Sequence, residues 1–264
     1  MAFLDIERRK EATHFDMSEP HSHEHYELYF LLEGSREVFL QDKMFVMPPY
    51  SFCVIPPFCL HKTEGDGYRR ININVSADLL KKEEIKFLDE CAAAGALLLD
   101  KTQCGLLVSL LEEAPSIRPI HGNLRKDYEF SVLKTLLYLL QKQRLTPLSE
   151  ASATQGADTT DPLVLKLVFY LNENYKEEIS LEKLAARFYL SKTTLCERFK
   201  ALMRCSIMQY LLQIRLTKAK ELLSSTGENM EKIAEECGFS SANYFSLIFK
   251  KEIGVSPLNY KKTR

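Results

Sequence analysis

Apolar residues along this chain follow two rhythms, and the change between them divides it. From residue 26 to residue 75 they come in short runs, YELYFLL, REVFLQ, MFVM, SFCVIP and RRININV, broken by Gly34-Ser35, Asp42-Lys43, Pro48-Pro49 and Pro56-Pro57. Runs of this length, rich in Val, Ile, Phe and Tyr and bounded by turn residues, predict strands; strands so closely spaced predict an antiparallel barrel or sandwich. Tyr26, Tyr29, Phe39 and Tyr68 are candidates to line its interior, although alternation alone does not say which face points inward. From Ala77 the rhythm becomes helical. Leu79, Leu80, Ile85 and Leu88 make one stripe, Leu106, Leu107, Leu110 and Leu111 a second, and Phe130, Leu133, Leu137 and Leu140 a third. Leu136 and Leu139 widen the third stripe beyond what one barrel needs to cover. It therefore has two readings: a helix packed on the barrel, or the interface of a homodimer. Residues 148–160, LSEASATQGADTT, show no periodicity and read as a flexible linker.

Beyond the linker one short helical pattern is written twice. Phe199-Lys200, Ser206 and Tyr210 recur as Phe249-Lys250, Ser256 and Tyr260, an offset of fifty, whereas LEKLAARF and MEKIAEEC upstream match at forty-nine. The turn in the second copy has therefore gained one residue. Each copy has the form of a helix-turn-helix. Ser180 and Asn229 suit the cap of the first helix, and Ser191 and Ser240-Ser241 the cap of the second. Gly238 stands where a helix must stop at positive φ. On the second helices Leu195, Phe199 and Leu202, and in the other copy Phe245, Ile248, Phe249 and Glu252, form inner stripes. Thr193, Cys196, Glu197 and Lys200 in copy one, and Ala242, Asn243, Ser246, Leu247 and Lys250 in copy two, are left to face a partner. A major groove about 12 Å wide admits one such helix. Residues 206–223 read as a single connecting helix whose Leu211, Ile214, Leu222 and Leu223 help to cover both copies.

Charge separates nucleic-acid binding from a helical repeat that binds protein. From Asp161 onward the chain carries 17 Lys and Arg against 12 Asp and Glu; the remainder of the 35 basic and 36 acidic residues gives 18 against 24. A basic C-terminal part on an acidic chain is the footprint of a phosphate-facing module. The seven cysteines are scattered and include no C-x-x-C pair, which argues against a zinc cage or disulfide frame and suits a reducing compartment. Without a long apolar run or a signal-like start, the chain is expected to be cytoplasmic, with no membrane partner.

The strings IAEECGF (233–239), YFSLIFKKEIGVSPLNY (244–260) and RLTKAKELL (215–223) resemble the AraC/XylS transcription regulators over about 100 residues. The resemblance implies a two-headed DNA-binding domain that contacts adjacent major grooves on one face of double-stranded DNA. It places the base-reading positions on Thr193, Cys196 and Glu197, and on Ala242, Asn243, Ser246 and Leu247. Two departures stand out: Tyr189 where copy two has Gly238, and Arg204 where it has Gly254. Left-handed backbone at Tyr189 costs on the order of 1 kcal/mol, so the first unit is expected to turn differently or bind less rigidly.

Ahead of the strands sits HSHEHYE. With Gly34 and His61 it resembles the two motifs of the cupin barrel: His21, His23 and Glu27 match the first, closed by Gly34, and His61 the second, although Tyr50 replaces a usual glycine. Residues 21, 23, 25 and 27 would share one face of an unbroken strand, with His61 arriving from a neighbour. Such a set suits a divalent transition metal completed by water. Bulky Phe58 and Leu60 beside His61 argue instead for polar lining of an organic effector, which the resemblance suggests is a sugar. The expected protein is thus an α+β, two-domain chain. Residues 1–147 form a cupin-like effector-binding and dimerisation domain, 148–160 a linker and 161–264 a double helix-turn-helix. It regulates transcription with DNA, a small effector, RNA polymerase and a second copy as partners. The alternatives are a metal-dependent cupin enzyme and a metal-responsive regulator; no nucleophile, base and orienter stand in recognisable order.

Overall fold

The computed structural model describes residues 3–11, 19–41, 43–99, 105–110, 124–142, 145–148 and 161–262. Asp42, Cys104, Leu111 and positions 149–160 of the expected linker lie outside them. By its contacts the chain divides into two compact units, Met1–Met17 with His23–Thr159 and Ser18–Ser22 with Thr160–Arg264.

The first unit is built on strand β2 (Tyr26–Glu33), whose side chains are buried on both faces up to Glu33. Around it β1 (Leu4–Glu11), β7 (Tyr68–Val75), β5 (Ser51–Ile55), β8 (Leu97–Leu98) and β9 (Thr146–Pro147) complete a six-stranded sheet in the order β1-β7-β2-β5-β8-β9. A second sheet has the order β4-β3-β6, from β3 (Arg36–Leu40), β4 (Lys43–Met47) and β6 (His61–Glu64). The described strands therefore form two antiparallel sheets. Alternation along β2 sends Leu28, Phe30 and Leu32 into one core, with Ile71 and Ile73 of β7 and Phe52 and Val54 of β5. It sends Tyr29 and Leu31 into another, where they meet Val38, Leu40 and Met47 of the small sheet. Of the four aromatic candidates, Tyr29 and Tyr68 line this inter-sheet core. Tyr26 faces the helices and donates its hydroxyl to Asp89 at 2.7 Å, while Phe39 belongs to neither core.

Helices α1 (Lys82–Ala94) and α2 (Leu124–Lys142) cover the outer face of the large sheet. Of the two readings of the third stripe, the structure supports packing on the sheet for its leucines. Leu133, Leu136, Leu137 and Leu140 are fully buried in the chain's own sheet-helix core, beside Leu28 and Phe30. Periodicity marks an apolar face without saying what covers it. The large apolar side chains of α2 exposed to solvent, among the described residues, are Phe130 and Tyr138, and Leu106 of the second stripe is likewise exposed beside buried Leu107.

The second unit is helical: α3 (Pro162–Asn174), α4 (Leu181–Arg187), α5 (Lys192–Met203), α6 (Ile207–Ser225), α7 (Met230–Glu236), α8 (Ala242–Ile253) and α9 (Pro257–Lys262). Helix α6 runs 19 residues, about 28 Å at 1.5 Å per residue. It buries Leu216, Ala219 and Leu223 against α7 and α8, and its Tyr210 ring packs on Phe199 of α5 at 5.6 Å. No helix among the described residues is long and apolar enough to cross a membrane. Cysteines 53, 59, 91, 196, 205 and 237 are all free.

Because Leu137 is internal, Leu137→Ala should destabilise the chain by about 2–5 kcal/mol, read as a lower urea midpoint at unchanged oligomeric state. A change of oligomeric state with no loss of stability would restore the interface reading.

Candidate functional site

The helix-turn-helix units owe their shape to caps. Ser180 and Asn229 accept hydrogen bonds from the backbone N–H of Lys183 (3.2 Å) and Lys232 (2.8 Å). Ser191 and Ser241 do the same for Thr194 (3.1 Å) and Tyr244 (3.2 Å). Each bond satisfies an orphan donor of the first turn. Since the capping pair is Ser191 and Ser241, the residue gained by the second copy is Ser240.

The two turns close alike. Leu190 N–H donates to Ala185 and Phe239 N–H to Ala234, at 3.0 and 2.9 Å. Tyr189 therefore takes φ 55 where Gly238 takes φ 75, and Arg204 takes φ 62 where Gly254 takes φ 87. The expectation of a different first turn is corrected: its hydrogen bonds outweigh roughly 1 kcal/mol of left-handed strain. The Tyr189 side chain is 94% exposed, so no burial offsets that strain. At Gly238 the constraint is stricter, because a Cβ there would lie 2.6 Å from the Tyr175 carbonyl oxygen. Arg215 of α6 holds the same connector, donating to the Tyr175 and Glu177 carbonyls at 2.8 Å each.

Packing leaves the expected outward stripes accessible. Thr193, Glu197 and Lys200 are exposed on α5 with Cys196 half-buried; Asn243, Leu247 and Lys250 are exposed on α8 with Ala242 and Ser246 half-buried. Leu247 is 66% exposed, an apolar side chain that packing within the chain leaves uncovered. The inner stripes are Leu195, Phe199 and Met203, and Phe245 and Phe249, so Met203 replaces Leu202 as the fully buried residue. Glu252 is exposed rather than internal. Sequence reasoning missed Arg198, which leaves α5 to grip Asp161, the cap of α3, through two hydrogen bonds of 2.6 Å.

A second constellation lies in the first unit. Strand β2 begins only at Tyr26, so residues 21–27 do not form one strand, and exposed His21 drops out of the expected set. His23, Glu27 and His61 come together, each offering an atom within 4.8 Å of the others. The turn that delivers His61 is pinned to this segment by Phe58 N–H donating to the His23 carbonyl at 2.7 Å. Phe58 in this turn and Tyr50 in the turn before β5 hold φ 57 and 59, so both turns keep left-handed backbone without glycine. His25 stacks on His23 at 3.9 Å; burial, with neighbouring His23, pushes it down to about 4 and keeps it neutral.

Glu27 is 5% exposed. Burial raises its carboxyl, but the His23 hydrogen bond and neighbouring His61 and Arg70 outweigh burial and bring it to about 2. Its Oε1 accepts from Asn72 Nδ2 and lies 3.6 Å from Arg70 Nη1. Arg70 and Asn72 were not foreseen, although the polar residues at every second position of RRININV carried the signal. Tyr29 Oη, Asn72 Oδ1 and Arg70 Nη1 are buried without hydrogen-bond partners.

Comparison with known proteins finds a family model described as a helix-turn-helix domain over residues 184–263 and one described as an AraC-like ligand binding domain over residues 5–127. The chain is similar to an HTH-type transcriptional activator RhaS of Escherichia fergusonii, 34% identical over 126 residues, covering 48% of this chain and 45% of that protein. It is similar as well to the uncharacterized HTH-type transcriptional regulator YdiP of Escherichia coli, 34% identical over 108 residues, covering 41% and 36%. The matches thus span less than half the length of either relative. Among solved structures, the C-terminal domain of AraT, a response regulator from Geobacillus stearothermophilus, is 34% identical over 40% of this chain and 89% of that one, with a TM-score of 0.39.

The Arg198 guanidinium holds the Asp161 carboxyl below its ordinary value. A depressed carboxyl stabilises the fold above the unfolded value of about 3.9, and that stability is lost as pH falls through the folded value. Asp161→Asn keeps a capping side chain. It should therefore lower the urea midpoint slightly at neutral pH, and not at all once the pH has fallen below the folded value. A deficit that persists in acid would mean the cap, not the ion pair, was lost.

Proposed function

The chain belongs to the AraC family of transcription regulators, and from that premise we propose that it controls transcription by binding double-stranded DNA in a sequence-specific manner under a small-molecule effector. The observation that carries the DNA reading is the repetition of one capped helix-turn-helix geometry, each copy leaving an outward stripe that packing does not use. A connecting helix of about 28 Å is commensurate with two recognition helices set one DNA turn, ~34 Å, apart. The net positive balance of the second unit supplies the phosphate attraction.

The effector reading rests on the interior of the first unit. Donors and acceptors that lack partners inside an apolar sandwich are costly, and a polar ligand or ordered water removes the cost. Tyr29, Arg70 and Asn72 join His23, Glu27 and His61 as its contact residues. This mixture suits a small oxygen-rich molecule, a class that includes the sugar expected from the sequence.

The two stripes should separate specificity from affinity. Asn243→Ala should weaken binding to a preferred duplex, relative to random DNA, by about 1–3 kcal/mol, because an asparagine can bond adenine through two hydrogen bonds. Lys250→Ala should weaken all sequences about alike and lower the salt slope by about one. Competition titrations at several salt concentrations read both; unchanged discrimination in Asn243→Ala would remove that stripe from base reading.

A further inference from the structure

Two imidazoles in the first unit turn the same edge toward one carboxylate oxygen. His23 Nδ1 lies 2.8 Å from the His25 carbonyl oxygen, and His61 Nδ1 lies 3.0 Å from that of Cys59. A carbonyl can only accept, so each ring carries a proton on Nδ1, and a neutral ring then presents a lone pair at Nε2. His23 Nε2 stands 3.0 Å and His61 Nε2 3.7 Å from Glu27 Oε2. With both rings neutral, three electron-rich atoms would stand this close and largely out of water, and Arg70 reaches only the other carboxylate oxygen, so a ring proton or a metal cation has to stand between them. A proton on one imidazole would bridge one of the two separations; a cation with several coordination positions bridges both.

We propose that His23 Nε2, His61 Nε2 and Glu27 Oε2 form a three-ligand site for a divalent first-row transition metal ion. Ligand atoms about 2.1 Å from a shared ion stand roughly 3.0–3.4 Å from one another; the two separations from Glu27 Oε2, 3.0 and 3.7 Å, are near that range, and the three atoms, all within 4.8 Å of one another, draw together as the site closes. The groups behind the ligands are in place. The His25 and Cys59 carbonyls fix both tautomers, and Asn72 with Arg70 occupies the other carboxylate oxygen, leaving Oε2 for the ion. Two imidazoles and one carboxylate leave coordination positions open, so the ion presents an acidic centre to the interior rather than a closed structural cage. His21 has no part in the set, and His25 serves through its carbonyl and its stacked ring.

The full chain, purified without a histidine tag and stripped with chelator, tests this by titration with Co²⁺, whose visible bands report imidazole and carboxylate ligation. Elemental analysis after Zn²⁺ loading and gel filtration gives the stoichiometry. One ion per chain is expected, unchanged in His21→Ala, with affinity lowered at least about tenfold in His23→Ala and Glu27→Gln. Circular dichroism of each metal-free variant establishes its fold, and Zn²⁺ should raise the thermal midpoint of wild type but not of folded His23→Ala. The proposal is overturned if wild type binds no stoichiometric ion. It is also overturned if folded His23→Ala or Glu27→Gln binds like wild type, or if His21→Ala abolishes binding. DNA affinity of the stripped chain, measured alongside, keeps either result distinct from the DNA-binding reading.

Discussion

An ionised carboxylate inside an apolar sandwich has to be neutralised where it sits, and in the first unit that requirement falls on Glu27. The desolvation penalty of such a group is several kcal/mol, so leaving it without partners would unfold much of the sandwich. Its partners come from every direction: His23 from the segment before β2, His61 from the small sheet, and Arg70 and Asn72 from β7. Satisfying one side chain therefore ties two sheets and the entry segment together. Strand register does the rest. With Tyr29 opposite Asn72 and Leu31 opposite Arg70, the polar face of β7 is carried inward together with the face of β2 that bears Glu27.

In the second unit the governing constraint is backbone geometry. Both turns need a left-handed residue, and the chain meets the need with glycine in one copy and tyrosine in the other. The connector after α3 approaches Gly238 closely while Arg215 binds its carbonyls, so the two units share one support instead of standing as independent repeats. Rigid placement of two recognition helices is what a two-site reader of DNA needs. The strain tolerated at Tyr189 is consistent with a turn whose shape matters more than its stability.

Local chemistry was legible in the sequence; phase and partnership were not. Capping serines, the αL glycine and the fifty-residue echo all act within a few residues, so Ser180, Ser191, Asn229 and Gly238 could be placed from the string alone. Tyr26 and Tyr29 alternate in any strand, but which of them faces the interior is decided by pairing with β5 and β7, far away in sequence. Grouping His21 with His23 requires a strand that begins early; β7 pairs with β2 only from Tyr26 onward, and the histidines ahead of it are freed from strict alternation. Leu133 and Leu137 had the spacing of an interface because a helix that covers a sheet and a helix that meets a second copy carry the same stripe. Arg70 and Asn72 were visible as polar residues between Ile71, Ile73 and Val75, but only Glu27 across the sheet gives them a purpose.

These features support the proposed regulator, with the effector-contact chemistry in one compact unit and the DNA-reading stripes in the other. Nuclease footprinting of the purified chain on fragments of its own genomic DNA tests that account most directly. It should protect discrete sites, each showing two adjacent major-groove contacts on one face of the duplex and protection that weakens steeply as salt is raised. Uniform protection of all fragments, or none at low salt, would contradict it.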